Sequence, residues 1–245
     1  MSTKRRLSKS KRNNIERNTE YLLNTRFSLK RIEPITRNQK TLFQSYMNDK
    51  NILAIGSAGT GKTYISLYLA LKDVLQKGVY KEVIIVRSSV QSREQGFMPG
   101  SAKEKMAHFE QPYADITNDL FERGDAYQIM KQKGMIRFMS TSFIRGLTFD
   151  NAIIVVDECQ NMRLDELRTI ITRVGENSKI MFCGDTKQDD LECSKNSLDV
   201  SGLRKFKQVI DRMKSFQTVQ FTIDDVVRSG IVKEFIIAEE ELELV

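Results

Sequence analysis

From Pro34 onward, short runs of Ile, Val and Leu alternate with longer stretches in which apolar residues recur at helical spacing. The runs that predict strands are Asn51–Ile55, Glu82–Arg87, Met135–Met139, Ala152–Val156, Lys179–Cys183 and Gln217–Phe221. Several of them are continuously apolar, as strands buried on both faces of a sheet must be. The stretches between them predict helices, for example over Lys62–Gln76, Arg163–Val174 and Val200–Lys214. This alternation indicates βαβ units, and therefore an α/β fold whose mostly parallel sheet has helices on both faces.

Two regions depart from the alternation. Residues 1–33 lack a periodic apolar pattern, so we predict a basic, flexible N-terminal arm there and a single α/β domain over residues 34–245. The second region runs from about Ser88 to Gly134. An insertion of that length is more often functional than idle, and we expect it to contribute to the activity.

Positive charge is concentrated at the N-terminus. Residues 1–40 contain 12 Lys and Arg against three Glu, whereas the other 205 residues contain 27 basic and 29 acidic side chains. A basic arm attracts nucleic acid through the phosphate backbone, without reading its sequence. A solvated extension that binds nothing specific is the alternative interpretation of the same composition.

The composition excludes several classes of protein. No apolar run approaches the roughly 20 residues of a bilayer span, and no apolar segment follows the basic N-terminus as a secretory signal requires. The three cysteines form no CxxC pair and cannot all pair with one another, which argues against a disulfide framework or a zinc site. His108 is the single histidine, so a His-rich metal centre is excluded. We expect a cytoplasmic protein without a membrane partner.

The most specific motif is a complete G-x-x-x-x-G-K-[ST] sequence, Gly56-Ser57-Ala58-Gly59-Thr60-Gly61-Lys62-Thr63. It lies between a predicted strand and a predicted helix, which is the context that the motif requires. Its glycines let the backbone turn so that consecutive N–H groups face phosphate, and the helix N-terminus adds its positive end. Lys62 is predicted to reach the β- and γ-phosphates, and the Thr63 hydroxyl to hold Mg²⁺. The motif predicts binding of a nucleoside triphosphate.

An acid pair follows the most apolar strand, in the order Val156, Asp157, Glu158. Asp157 is predicted to bind Mg²⁺, usually through water, and Glu158 to polarise the attacking water. A helix N-cap followed by a first-turn acid is the alternative. A hydrolase needs a metal ligand and a base as separate groups, so the pair favours hydrolysis over binding alone.

Two further segments sharpen the class. The strand Lys179–Cys183 is followed by Gly184, Asp185 and Gln188, and Gln188 is placed to sense the γ-phosphate, although a plain polar turn is the alternative. Near the C-terminus, Arg228 is predicted to stabilise transition-state charge, which is worth about 10³ or more in rate. Its alternative is an ion pair with Asp224 or Asp225.

Together these segments resemble the PhoH-like ATPases from about Thr36 to Arg228. Further matching positions are Arg87, Gly96–Gly100, Arg145–Thr148 and the Asp157–Asn161 box. The resemblance implies a P-loop NTPase with one RecA-like domain, similar to the motor domains of superfamily 1 helicases, that binds ATP and Mg²⁺. It also implies that Gln39 contacts adenine. Cys159 stands where the family usually has alanine, a conservative change.

Superfamily 1 helicases use two RecA-like domains, whereas residues 34–245 suffice for one. A homo-oligomeric ring, such as a hexamer, would supply the second and place Arg228 of one subunit against the ATP of the next. We therefore expect a Mg²⁺-dependent ATPase coupled to RNA or single-stranded DNA. The predicted nucleic-acid contacts are Arg87, Arg93, Lys103, Lys105 and Arg145 for phosphates and Phe97 for stacking.

Two other functions compete with this one. An ATP-dependent assembly or regulatory switch protein would bind and slowly hydrolyse ATP without motor or unwinding activity. A P-loop kinase of a small substrate is disfavoured, because the acid pair and Gln188 serve a water nucleophile and no arginine-rich lid segment is present.

Overall fold

The computed structural model describes residues 28–76, 80–88, 102–185 and 202–242. Its strands are β1 (Asn51–Gly56), β2 (Glu82–Arg87), β3 (Ile136–Ser140), β4 (Ala152–Asp157), β5 (Lys179–Gly184) and β6 (Phe216–Phe221). Its helices are α1 (Arg37–Met47), α2 (Lys62–Gln76), α3 (Ala102–Leu120), α4 (Ala126–Gln132), α5 (Leu164–Ile171), α6 (Leu203–Ile210) and α7 (Gly230–Glu241). Short 3₁₀ turns cover Thr141–Phe143, Cys159–Asn161 and Ile223–Asp225.

The strands form one six-stranded sheet in the order β3-β2-β4-β5-β1-β6, and every strand pairing is parallel. The strand that carries the P-loop, β1, is separated from the strand that carries the acid pair, β4, by β5 alone. The structure confirms the α/β P-loop NTPase fold with a RecA-like parallel sheet. All six predicted strands are present, with ends that differ from the predicted ones by at most one residue.

Alternate residues of each strand enter two separate cores. On β4, Ile153 and Val155 pack with α1, α2, α3 and α4, whereas Ile154 and Val156 pack with α5 and α6 on the opposite face. Both sets are fully buried. This explains why the run is continuously apolar: a strand covered on both faces has no side on which a polar residue would meet water.

Helices account for most of the interruption predicted from Ser88 to Gly134, because its described part contains α3 and α4. The sequence pattern did not predict α3, which contains Pro112. Its buried positions, Tyr113, Thr117 and Leu120, nevertheless recur at helical spacing. Residues 89–101, with Arg93 and the Gly96–Gly100 segment, lie outside the described residues.

The last residues of the predicted basic arm, from residue 28 onward, lie within the described part of the chain. Residues 1–27 lie outside the described residues, but Leu29 and Ile32 pack against the core beside α2 and α3. The Lys30 backbone N–H donates to the Leu120 carbonyl at 3.0 Å, and its ammonium pairs with Asp119 at 2.7 Å. The apolar pair at positions 29 and 32 thus anchors a segment that the sequence assigned to the arm.

Two predicted helices are shorter than their apolar pattern. Helix α5 stops at Ile171 because Val174 leaves the helix and forms an isolated parallel bridge with Phe149. Helix α6 begins only after Gly202, whose α-carbon passes so close to Leu164 that an added Cβ would lie 2.2 Å from the Leu164 nitrogen.

No helix in the described ranges combines the length and apolar character needed to cross a membrane.

The aromatic cluster on the α5–α6 face predicts a large local contribution to stability. Phe182 is fully buried, and its ring lies 4.8 Å from that of Phe206 and 6.4 Å from that of Phe216. Phe182→Ala is expected to lower the free energy of unfolding by about 3–5 kcal/mol, measured by urea denaturation. Phe235→Ala, at a ring that is 62% exposed on α7, is the control and should change it by less than about 0.5 kcal/mol. Equal losses in the two variants would contradict this account of the core.

Candidate nucleotide site

Parallel strands bring their carboxyl ends to a single edge of the sheet. The register aligns Gly56 with Phe221, Ile55 with Gly184 and Arg87 with Asp157. A cleft of about 610 Å³ lies at this edge. The predicted site residues that line it are Gln39, Ala58, Gly59, Thr60, Gly61, Lys62, Thr63, Asp157, Glu158 and Arg228. One cleft therefore gathers predicted residues from four separate segments of the chain.

The P-loop backbone fits its surroundings only with glycine at two positions. Gly56 has a φ of +128°, and a Cβ there would lie 1.9 Å from the Phe221 carbonyl oxygen. Gly59 has a φ of +71°, and its Cβ would lie 2.8 Å from Arg228 Cγ. The glycines thus permit both the sharp turn and the close approach of β6 and of the segment that follows it.

Flanking segments hold the loop from two sides. Gln39 Nε2, on α1, donates to the Thr60 carbonyl at 3.0 Å, and the Val227 backbone N–H donates to the Gly59 carbonyl at 3.0 Å. Gln39 is itself fixed, since its Oε1 accepts the Ile35 backbone N–H at 2.9 Å. Because these two loop carbonyls are engaged by protein donors, an anion in the cleft meets fewer unpaired carbonyl oxygens.

Lys62 is buried at the start of α2, with its ammonium against the loop. Its Nζ donates to the Gly56 carbonyl at 2.8 Å, the Ser57 carbonyl at 2.7 Å and Thr60 Oγ1 at 3.3 Å. Burial lowers the pKa of Lys62, and the negative charge of Asp185 is the largest of several influences that oppose this. Gly56 and Ser57 therefore act here through their carbonyl oxygens, which accept hydrogen bonds from the Lys62 ammonium.

Asp157, at the end of β4, lies between two hydroxyl groups. Thr63 Oγ1 donates to its Oδ1 at 2.7 Å, and the Tyr113 hydroxyl donates to its Oδ2 at 2.9 Å. Burial, followed by the charge of Asp157, raises the pKa of Tyr113 well above its ordinary value, so that this phenol stays protonated and donates. The two groups predicted to hold Mg²⁺, Thr63 and Asp157, are thus direct neighbours.

This pair of oxygen ligands fits Mg²⁺. No group of three or more His, Cys, Asp or Glu side chains in the described ranges is arranged to hold a metal ion. Mg²⁺ does not need one, because it commonly binds through one or two protein oxygens together with substrate phosphates and water. A hydroxyl and a carboxylate side by side at a P-loop are a donor set of that kind.

Glu158 adopts a left-handed backbone conformation, with φ 52° and ψ 42°. For a residue with a side chain that conformation costs about 1–2 kcal/mol, so the turn is strained where the acid pair enters the cleft. Burial, followed by the charge of Asp157, raises the pKa of Glu158, while the Gln160 Nε2 hydrogen bond to Glu158 Oε2 at 2.6 Å works in the opposite direction. A carboxylate with a raised pKa is a stronger base, which suits proton abstraction from water.

Gln160 connects the acid pair to the next strand. Its Nε2 contacts Glu158, and its Oε1 accepts the Asp185 backbone N–H at 2.9 Å. The side chain is almost completely buried, and a Cβ on Gly184 would come within 3.3 Å of its Oε1. Sequence reasoning assigned Gln160 no role of its own. The available signals were its position two residues after Glu158 and its place in the Asp157–Asn161 box, since the contact with Asp185 spans 25 residues.

Arg87, predicted as a nucleic-acid contact, lies beside the acid pair instead of on an open surface. Its guanidinium stacks on the Phe109 ring of α3, 5.4 Å from the centroid, and its charge helps to lower the pKa of Glu158. Tyr113, one helical turn after Phe109, reaches Asp157 from the same helix. Sequence reasoning missed both aromatic residues because the helix that carries them was not recognised.

Arg228 lies in the cleft of its own chain, with its Cγ against Gly59. The alternative ion pair with Asp224 or Asp225 is absent from the described residues. Asp225 instead accepts a hydrogen bond from Asn38 Nδ2 at 2.7 Å. The arrangement expected in a ring, with Arg228 against the nucleotide of the next subunit, stays a prediction.

The remaining predicted positions give less information. Gln188, Arg93 and Phe97 lie outside the described residues, as do the side chains of Lys103 and Lys105. The adenine contact of Gln39 stays a prediction. Each end of its amide makes one hydrogen bond within the protein, which leaves one hydrogen and one lone pair for a ligand.

Comparison with known families decides what kind of protein this is. The family model described as PhoH-like protein matches residues 31–240. The chain belongs to the PhoH-like family. This confirms the resemblance drawn from the motifs, and with the P-loop it supports a nucleotide-binding, ATPase-like protein.

Individual relatives agree with this assignment. The PhoH-like protein of Mycobacterium leprae (strain TN) is 32% identical over 215 residues, which cover 87% of this chain and 60% of the relative. The PhoH-like protein of Bacillus subtilis (strain 168) is 30% identical over 213 residues, covering 86% of this chain and 65% of the relative. The chain thus spans about three fifths of the length of these PhoH-like relatives.

Among solved structures, the large terminase of a thermophilic bacteriophage, in complex with ADP, matches with a TM-score of 0.47 at 14% identity, over 83% of this chain and 49% of that one.

The left-handed backbone at Glu158 predicts an inverted order of stability. Glu158→Gly and Glu158→Ala both remove the buried carboxylate and differ only in the Cβ. In a helix or strand, alanine normally gives a free energy of unfolding about 0.5–1 kcal/mol higher than glycine does. The left-handed conformation reverses this preference, because it penalises a Cβ by about 1–2 kcal/mol. We expect the free energy of unfolding of Glu158→Gly to equal or exceed that of Glu158→Ala, measured by urea denaturation.

The exposed Glu234 inside α7 supplies the control for this comparison. In that helix, Glu234→Ala should have a higher free energy of unfolding than Glu234→Gly. Glu122, with a φ of 50°, should behave like Glu158. The strain at Glu158 would be contradicted if the free energy of unfolding of Glu158→Ala exceeded that of Glu158→Gly by as much as Glu234→Ala exceeds Glu234→Gly.

Proposed function

We propose that this chain is a Mg²⁺-dependent ATPase that hydrolyses ATP to ADP and phosphate in the cleft at the carboxyl edge of the sheet. The observation that carries the proposal is the pairing of Thr63 with Asp157 next to Glu158. These three side chains bring a metal-binding hydroxyl, a metal-binding carboxylate and a base together in one partly buried corner beside Lys62. The cleft volume of about 610 Å³ lies within the range of small-molecule and cofactor sites.

Each residue has a distinct task in this proposal. The loop from Gly56 to Gly61 surrounds the phosphates, and Lys62 turns from its carbonyl partners to the β- and γ-phosphate oxygens. Thr63 and Asp157 hold Mg²⁺, which when bound neutralises charge on those oxygens. Glu158 orients a water molecule and takes its proton as the water attacks the γ-phosphorus.

Three further residues complete the proposed site. Gln39 contacts adenine with the donor and acceptor that its protein contacts leave over. Arg228 stabilises charge on the transferring phosphoryl group from within the same chain, since its side chain lies at its own P-loop. Gln188 senses the γ-phosphate, a role that rests on its sequence position after β5.

Hydrolysis requires Glu158 as the base, which a conservative substitution tests. Glu158→Gln should retain ATP affinity and lose at least about 10²-fold in kcat, because the amide cannot accept the proton of water. Lys62→Ala should instead weaken nucleotide binding. Phosphate release measures turnover, and a fluorescent ATP analogue measures the Kd.

Glu122→Gln is the matched control, since Glu122 is an exposed glutamate with a similar left-handed backbone. It should retain the kcat of the parent. Turnover by Glu158→Gln at the rate of the parent protein would rule out Glu158 as the base.

We further propose that RNA or single-stranded DNA binds near this edge. Support comes from the turn after β3, where Phe143 is 63% exposed and two residues before the exposed Arg145. The turn is firmly held: Ile144 is fully buried, and Thr141 Oγ1 donates to Glu166 Oε1 at 2.7 Å. An exposed ring on this turn, two residues before an arginine, offers a base a stacking surface, and the arginine offers a phosphate a partner. The basic residues at the N-terminus add an attraction that does not depend on sequence.

Phe143→Ala is expected to weaken binding of a single-stranded oligonucleotide by about 1–3 kcal/mol, and Arg145→Ala to reduce the salt dependence by roughly one phosphate contact. Fluorescence anisotropy across a salt series measures both effects. Phe235→Ala, which removes an equally exposed ring on α7, is the control and should bind as the parent does. Binding that neither variant changes would place the nucleic-acid contact elsewhere.

The competing function is an ATP-dependent assembly or switch protein. An ATPase rate that rises several-fold with RNA or single-stranded DNA, and loses this stimulation at higher salt, favours the coupled ATPase. A measurable rate that is indifferent to both polymers favours the switch. A homo-oligomeric ring, such as a hexamer, stays a prediction that sedimentation of the nucleotide-bound protein tests.

A further inference from the structure

The two carboxylate oxygens of Asp157 have different partners. Oδ1 accepts from the Thr63 hydroxyl at 2.7 Å, and Oδ2 accepts from the Tyr113 hydroxyl at 2.9 Å. Thr63 belongs to the P-loop helix α2, whereas Tyr113 belongs to α3, a different segment of the chain. The partners therefore distinguish an oxygen on the P-loop side from an oxygen on the α3 side.

Several contacts hold the Tyr113 ring in place. The side chain is 1% exposed, and its ring centroid lies 5.5 Å from that of Phe138 on β3. Its backbone carbonyl accepts the Thr117 hydroxyl at 2.7 Å, one turn further along the helix. One turn earlier, Phe109 lies under the guanidinium of Arg87. The phenol hydroxyl therefore reaches Asp157 from a ring that has little freedom to move.

We infer that Tyr113 is a positioning residue for the metal site: its hydroxyl binds Oδ2 of Asp157 and thereby turns Oδ1, beside the Thr63 hydroxyl, toward Mg²⁺. The inference rests on the proposed function, because it takes Asp157 as a metal ligand. A carboxylate that binds a metal through one oxygen gains from a fixed donor on the other, since the donor sets its rotation before the metal arrives. Loss of such a partner commonly costs about 10- to 100-fold in metal affinity.

A purely structural role makes a different prediction. A buried tyrosine needs an acceptor for its hydroxyl, and any nearby carboxylate meets that need. Removal of the hydroxyl would then lower the stability of the fold and leave the requirement for Mg²⁺ unchanged. Tyr46 is in that situation: it is equally buried and donates to Asp73 Oδ2 at 3.0 Å, and Asp73, unlike Asp157, is not among the residues that line the cleft.

The experiment therefore compares Tyr113→Phe with Tyr46→Phe. Binding of a fluorescent ADP analogue is measured in EDTA and then across a Mg²⁺ titration, with thermal unfolding recorded for each variant. Tyr113→Phe is expected to bind the analogue as the parent does in EDTA, and to need about 10- to 100-fold more Mg²⁺ for the half-maximal metal-dependent change. Tyr46→Phe is expected to show the Mg²⁺ midpoint of the parent.

A Mg²⁺ midpoint of Tyr113→Phe equal to those of the parent and of Tyr46→Phe would overturn the inference and leave the proposed function intact. Nucleotide binding by the parent that does not respond to Mg²⁺ would overturn the proposed metal site itself. If Tyr113→Phe shows no folded transition, Phe138→Leu replaces it, because this change keeps the hydroxyl and loosens the ring. It should shift the Mg²⁺ midpoint in the same direction by a smaller factor, and an unchanged midpoint would equally contradict the inference.

Discussion

The site depends on a buried balance of charge. Its cations are Lys62 and Arg87: the carboxylates of Asp185, Asp157 and Glu158 raise the pKa of Lys62 against the effect of burial, and the charge of Arg87 helps to lower the pKa of Glu158. Burial, followed by the charge of Asp157, raises the pKa of Glu158 in the same corner. An isolated charge of either sign would be costly at this depth, so the lysine and the acids stabilise one another's ionised forms. A triphosphate with its metal ion brings charges of both signs and can enter such a site without leaving either set unpaired.

The parallel sheet makes this balance possible, because it delivers each charge from a different strand. Lys62 follows β1, the acid pair ends β4, and Asp185 follows β5, which lies between the two. Adjacent strands are about 4.8 Å apart, so their ends bring these groups within electrostatic range without any long loop. Helix α3 adds a second layer, with Phe109 beneath Arg87 and Tyr113 against Asp157.

The parts of the structure that the sequence predicts well are those whose cause is local. A strand buried on both faces must be continuously apolar, so β4 is recognisable from its own residues, and the P-loop carries its glycines and lysine in eight consecutive positions. The parts that escape prediction depend on contacts between distant segments. The hydrogen bond from Tyr113 to Asp157 spans 44 residues, and that from Gln39 to Thr60 spans 21. The left-handed turn at Glu158 has no signal in residue type, because glutamate rarely adopts it.

The two hydrogen bonds that hold the P-loop have a consequence for the architecture of the chain. Gln39 comes from the first described helix, and Val227 comes from the segment just before the last one, yet they bind adjacent peptide groups at Thr60 and Gly59. The loop therefore joins the two outer segments of the domain. Shortening the domain from either side to a bare sheet-and-helix core would remove one of these supports, so the smallest unit that keeps the loop intact extends at least from residue 39 to residue 227.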